Sequence, residues 1–138
     1  MRFDELEPGA AAEWSRTVTE ADVVLFGGVS GDFNPVHFDA TAAEKSRFGG
    51  RIAHGMLSAS FISTVLGTKL PGPGTIYLSQ NLRFTAPVRI GDTVTARVEV
   101  AEVTPAKRRV RLLTTCVNQR GEKVIDGEAT VMVPEDDA

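Results

Sequence analysis

The sequence predicts an α+β fold in which a strongly curved antiparallel sheet wraps around a central apolar helix. Two observations carry that expectation. Between Gly55 and about Leu66, the residues Met56, Leu57, Ala59, Phe61, Ile62, Val65 and Leu66 surround much of a helix's circumference. A helix apolar on so many sides is usually buried. From Ile76 onward the apolar period falls to two: Ile76, Leu78, Leu82 and Phe84 share one strand face, Val94, Ala96, Val98 and Val100 a second. Val110, Leu112 and Cys116, then Ile125, Ala129, Val131 and Val133, supply two more. The connections Pro87 to Asp92, Thr104 to Ala106 and Asn118 to Glu122 are short, so these four strands are expected to pair successively as an antiparallel meander.

The remaining elements follow in order. Phe3 to Ser15 has no helical period and contains Pro8 and Gly9, which suggests a lead-in segment and a short strand through Trp14. Thr19 before Glu20, Ala21 and Asp22 reads as a helix cap with acids in the first turn. Ala21, Val24, Leu25 and Val29 then space an apolar face along a helix ending near Gly31. DFNPVHFD, Asp32 to Asp39, reads as a loop, because Pro35 lacks an amide hydrogen and restricts Asn34. Thr41 to Arg47 suits a further helical turn, Leu70 to Gly74 breaks the apolar helix, and the acidic tail Pro134 to Ala138 is expected to fray. At 138 residues the chain has room for one domain, 1–138, with one core.

Charge narrows the function. With 15 basic and 18 acidic residues and a net charge of -3, the chain offers no general attraction to nucleic acid or anionic lipid. The local cluster Lys107, Arg108, Arg109 and Arg111 could serve a phosphorylated small molecule, but reads better as a solvated strand end. Cys116 is the single cysteine, so no intrachain disulfide is available. The acidic MRFDELEPG start lacks the pattern of a secretory signal, and Met56 to Leu70 is too short and polar to span a bilayer. A cytoplasmic location, with no nucleic-acid and no membrane partner, is expected.

The chain has two histidines. His37 follows Asp32 by five positions in a proline-containing loop, which could bring both side chains to one cavity wall, and an aspartate can orient an imidazole or activate water beside it. Asp32 could equally be a turn or cap residue, and His37 a satisfied histidine. Asn34 either caps the Asn-Pro turn or positions a reacting group. Asp22 and Asp39 read as structural or solvated carboxylates. His54 stands immediately before Gly55, whose amide, in the first turn of a helix, has no intrahelical acceptor and could receive an oxygen on which negative charge develops. A glycine there could also serve close helix–sheet packing. Ser63 could present its hydroxyl from the same helix, or bond its own backbone.

SGDFNPVHFD (Ser30 to Asp39), AHGML (Ala53 to Leu57) and IYLSQNLRFTAPVRIGDTV (Ile76 to Val94) together closely resemble the R-specific enoyl-CoA hydratases, the short single-hotdog members of the MaoC-like dehydratase family. The resemblance covers about Leu6 through Val133, and the joint pattern is far more specific than either short piece. It implies a hotdog fold, a homodimer, and reversible hydration of trans-2-enoyl-CoA to R-3-hydroxyacyl-CoA. By motif match it implies Asp32 and His37 as the catalytic pair, Asn34 as support, Gly55 as the oxyanion-binding amide, and Ser63 near the active-site hydrogen-bond network. Departures fall at the chain-lining positions Val36, Phe38 and Thr41 to Ile52. No metal or separate cofactor is expected, coenzyme A being part of the substrate. The competing readings are a dehydratase acting on acyl-carrier-protein thioesters, a hotdog thioesterase, and a noncatalytic acyl-CoA-binding dimer.

Overall fold

The computed structural model describes residues 2–135. The tail expected to fray therefore lies, beyond residue 135, outside the described residues. Strands β1 (Ala11–Thr17), β2 (Ile76–Phe84), β3 (Thr93–Thr104), β4 (Arg109–Val117) and β5 (Lys123–Met132) form one five-stranded sheet in the order β1-β3-β4-β5-β2. Every neighbouring pair is antiparallel. Helices α1 (Glu20–Ser30), α2 (Pro35–Phe38), α3 (Ala40–Glu44) and α4 (Gly55–Thr68) fill the space between β1 and β2 in the chain. Among the described residues no helix is long and apolar enough to cross a membrane.

The α+β character stands, but the expected strongly curved sheet wrapped around a central apolar helix does not. The sheet is open, with β1 and β2 as free edges, and α4 lies against one of its faces, chiefly over β3, β1 and β4. Helix α4 has 14 residues and is not apolar all round: Leu57, Ala59, Phe61, Ile62, Val65 and Leu66 are buried, while Met56, Ser60, Ser63 and Thr68 are exposed. Counting apolar letters had overstated its burial because Ser, Thr and Gly occupy the remaining face together.

The meander is also corrected. Strands β3, β4 and β5 run consecutively, but β2 pairs with β5 at the far edge and not with β3. Pro87 to Asp92 is accordingly a crossing link and not a hairpin turn. It is held by Ala53 N–H donating to Val88 O at 2.7 Å and by Val18 N–H donating to Asp92 O at 2.8 Å. The face predicted for β3 is the observed one, with Val94, Ala96, Val98 and Val100 all buried. On β2, by contrast, Ile76, Leu78 and Phe84 are exposed. The apolar face predicted for α1 is likewise turned outward: Val24, Leu25 and Val29 are 50%, 67% and 88% exposed, and the helix buries Asp22, Val23 and Gly27 instead.

Candidate active site

Helix α1 delivers the chain to the site through its ends. At its start Thr19 Oγ1 accepts from Asp22 N–H at 3.1 Å, and Asp22 accepts in return from Thr19 N–H at 3.0 Å. At its other end Gly31 adopts φ 79°, a left-handed turn that glycine makes without Cβ strain, and donates to Gly27 O at 2.8 Å. The next residue is Asp32, where the chain has just reversed.

A relay of side-chain caps then builds the segment read from sequence as a loop. Asp32 Oδ1 accepts from Asn34 N–H, and Asn34 Oδ1 accepts from Val36 N–H, each at 3.2 Å. Pro35 occupies the first turn, where its missing amide hydrogen costs nothing, so Pro35–Phe38 forms one helical turn. Asn34 thus acts here through the backbone, as the cap of the turn that carries His37. Asp39 caps α3 by accepting from Ala42 N–H at 3.1 Å.

His37 is buried, and its Nδ1 lies 2.8 Å from Ile52 O. A carbonyl oxygen can only accept, so Nδ1 carries the hydrogen and the neutral ring keeps a lone pair on Nε2. His54 Nε2 lies 2.9 Å from the main-chain oxygen of Asp32 and donates to it by the same reasoning. The two imidazoles stack with centroids 4.0 Å apart and an interplanar angle of 29°. Phe26 and Phe38 flank His54 at 4.8 and 5.6 Å. One ligand-type atom from each of Asp32, His37 and His54 falls within 4.8 Å of the others. This compact set was not evident from spacing, because its third member comes from another segment. Such a cluster can pass protons through one water, and its donor types would also suit a cation.

His37 and Gly55 line a cavity of about 480 Å³, together with Arg47, Phe48, Ile52, Met56, Ser58, Phe84 and Val88 among others. Asp32 does not line this cavity; it is tied to it through the cluster with His37. Gly55 opens α4, and a Cβ there would meet two ring carbons of Phe84 at 2.7 Å. Both readings of Gly55 thus have a physical basis: the sheet approaches too closely for a side chain, and its first-turn amide has no intrahelical acceptor. Ser63 is not brought to this group. It is exposed and lines a second hollow of about 570 Å³ between α4 and β2.

Sequence reasoning assigned no role to three further residues. His54 joins Asp32 to His37. Arg51 Nε donates to His37 O at 2.6 Å. Ser58, on the cavity wall, has a buried hydroxyl with no partner among the described residues, although Ser60, Thr64 and Thr68 of the same helix each donate to a main-chain oxygen. The scarcity of histidine was the one signal that could have marked His54. Cys116 has no part in the site: burial pushes its thiol up to about 12, and its Sγ–H faces Ser58 O at 3.6 Å. In the basic cluster, Arg108 donates to Val133 O and Pro134 O, and Arg111 pairs with Glu128 and Glu102, so neither is spare.

Comparison with known proteins gives this geometry a family. An (R)-specific enoyl-CoA hydratase from Rhodospirillum rubrum is 54% identical over 132 residues, spanning 96% of this chain and 91% of that protein. A 3-hydroxybutyryl-CoA dehydratase from Methylorubrum extorquens is 50% identical over 134 residues, spanning 97% and 85%. The unliganded R-hydratase of Pseudomonas aeruginosa superposes with a TM-score of 0.91 at 53% identity, over 97% of this chain and 86% of that one. The MaoC like domain matches residues 5–132. With that much of its length matched, the chain belongs to the MaoC-like dehydratase family, as an R-specific enoyl-CoA hydratase-type hotdog domain.

Proposed function

We infer that this chain catalyses reversible hydration of trans-2-enoyl-CoA to R-3-hydroxyacyl-CoA. The observation that carries the reading is the convergence of Asp32, His37 and His54 within 4.8 Å beside the cavity wall that holds Gly55. An enoyl thioester is electrophilic at its β carbon because the carbonyl accepts electron density. Hydration therefore needs a base on water, an acid at the α carbon and a donor to the enolate-like oxygen. His37 Nε2, oriented by the Nδ1–H bond to Ile52 O, and the Asp32 carboxylate hold one water between them. Asp32 chiefly activates the water, whose oxygen bonds the β carbon, and the proton the water gives up is the one returned to the α carbon. His37 Nε2 accepts a hydrogen bond that orients the water and shares in that proton's transfer. Gly55 N–H bonds the thioester oxygen, where preorganised donors are worth most because charge develops there. Delivery of both substituents from one side makes the addition syn. Dehydration runs the same steps backwards.

Ser63 belongs, in this reading, to the hydrogen-bond surroundings of the acyl group, and its place in the second hollow suits a site completed by another protomer. A homodimer is supported by the exposed apolar residues Val24, Leu25, Val29, Phe33, Met56, Tyr77 and Leu78, and by the unpaired edge of β2. The chain acts as one catalytic domain per protomer.

The test is an absorbance assay of enoyl-CoA loss over several chain lengths, with stereochemical analysis of the product. Asp32→Asn and His37→Gln should each lower kcat by about 100-fold or more while melting near the parent temperature. Normal turnover by both would remove their assigned roles. Prolonged chelation should leave the rate unchanged; a loss restored by a divalent metal would instead make the cluster a metal site. Turnover of an acyl-carrier-protein thioester but no CoA thioester would move the partner, and release of free thiol would indicate a thioesterase. Binding without turnover would indicate a noncatalytic acyl-CoA protein.

A further inference from the structure

Arg47 lines the cavity, whereas Arg51 and Arg89 act on the backbone of the neighbouring segments. Arg51 donates from Nε to His37 O at 2.6 Å and pairs through Nη2 with Glu20 at 2.9 Å. Arg89 donates through Nη2 to Phe48 O. Both side chains fasten the segment 46–51 that leads into α4, and both have spent part of their donor fork on it. Arg47 fastens nothing. Among the described residues its guanidinium makes no ion pair and no hydrogen bond, resting instead 5.8 Å from the centroid of the Phe48 ring. It is exposed, yet it lines the same cavity as His37 and Gly55, and no other lining residue except the histidine is ionisable.

An uncompensated guanidinium beside a mostly apolar cavity with no carboxylate in its lining, in a chain whose net charge is -3, favours an anionic part of whatever enters. We propose that Arg47 receives a phosphate of the thioester's carrier, so that it selects substrates by their handle. This rests on the enoyl-thioester reading above. The acyl group, the thioester and the amides of a pantetheine arm are uncharged, which leaves phosphate as the anion available. Its oxygens match the planar guanidinium fork better than a single ammonium would. Two sources share this chemistry: the 4′-phosphate common to coenzyme A and carrier-protein prosthetic groups, and the nucleotide phosphates of coenzyme A alone. Arg47 takes no part in the proton transfers; it positions the substrate from the far end of its arm.

The experiment compares hydration of one enoyl group carried on pantetheine, 4′-phosphopantetheine and coenzyme A. In the parent protein kcat/KM should rise on adding phosphate, chiefly through KM. In Arg47→Ala the preference for phosphorylated carriers over pantetheine should fall about tenfold, and Arg47→Lys should keep part of it. A fall seen for coenzyme A and 4′-phosphopantetheine alike assigns the contact to the 4′-phosphate; a fall for coenzyme A alone assigns it to the nucleotide. An unchanged preference overturns the proposal. Calorimetric titration with free coenzyme A, with pantetheine as reference, reads the contact without turnover. About tenfold weaker binding in Arg47→Ala supports the proposal, and an unchanged Kd overturns it. Should the parent hydrate none of the three thioesters, it is the hydratase reading that fails, and the titration still decides the role of Arg47.

Discussion

His54 donates to the main chain of Asp32 and stacks on His37, so one buried ring sets the spacing of both proposed acid/base groups. Its Nδ1 is buried without a partner among the described residues, a state that typically costs about 1–3 kcal/mol. Stability alone would favour an apolar residue there. We expect His54→Leu to fold at least as well as the parent but to lose kcat by about 10- to 100-fold with little change in KM, since small misplacements of reacting groups are expensive. His54→Gln, whose amide nitrogen can occupy the place of Nε2, should recover most of the rate. Equal losses in both variants, read by steady-state kinetics and thermal melting, would reduce His54 to a packing residue. Asp32, His37 and Gly55 could be singled out as candidates because each has a local cue: a turn, a proline-bounded histidine and a helix start. His54 has no such cue, since its part depends on a ring packed against it from another segment.

At the scale of elements, α1 shows how a correct boundary can accompany a wrong orientation. Thr19 and Gly31 delimit the helix as their chemistry predicts, because caps act on the nearest few backbone groups. Its exposed apolar stripe and its buried Asp22 follow from contacts elsewhere. The hydrogen bond from Arg16 holds the Asp22 carboxyl below its ordinary value of 3.8, aided by the Thr19 amide, while burial works in the opposite direction. A carboxyl depressed in the folded state contributes stability that is full above its unfolded value and is lost as pH falls through the lower folded one. Asp22→Asn should therefore destabilise the protein by about 1–2 kcal/mol at neutral pH. The gap to the parent should close on acidification below the ordinary carboxylate range. Denaturant titrations across pH would show this; a gap independent of pH would mean that the charge is not what Asp22 contributes. In β2 a similar lesson holds: its strand period was readable, but its partner β5 was not, because pairing order is decided between distant segments.

For the whole molecule, the outward faces of α1 and β2 leave large apolar side chains in contact with solvent. Leu25 and Leu78 are exposed beside other large apolar side chains, and β2 presents an unpaired edge. Solvating such a surface is costly, and a second copy would cover it. Light scattering should find a dimer in the parent protein, and Leu25→Glu combined with Leu78→Lys should shift it towards monomer with loss of hydration activity. A parent that stays monomeric at micromolar concentration would remove the dimer from the proposed function.

Sequence by itself determined the strand and helix periods, the caps of α1 and the unpaired amide of Gly55. These are set by groups a few residues apart, which the chain cannot separate. Only the tertiary structure decided that β2 crosses to the far edge, that α4 shows a polar face and the sheet stays open, that His54 bridges Asp32 and His37, and that the guanidinium of Arg47 is left uncommitted at the cavity. Each of those depends on which distant surfaces meet, and local preference is silent there because either side of an amphipathic strand or helix can face in until the rest of the chain is packed.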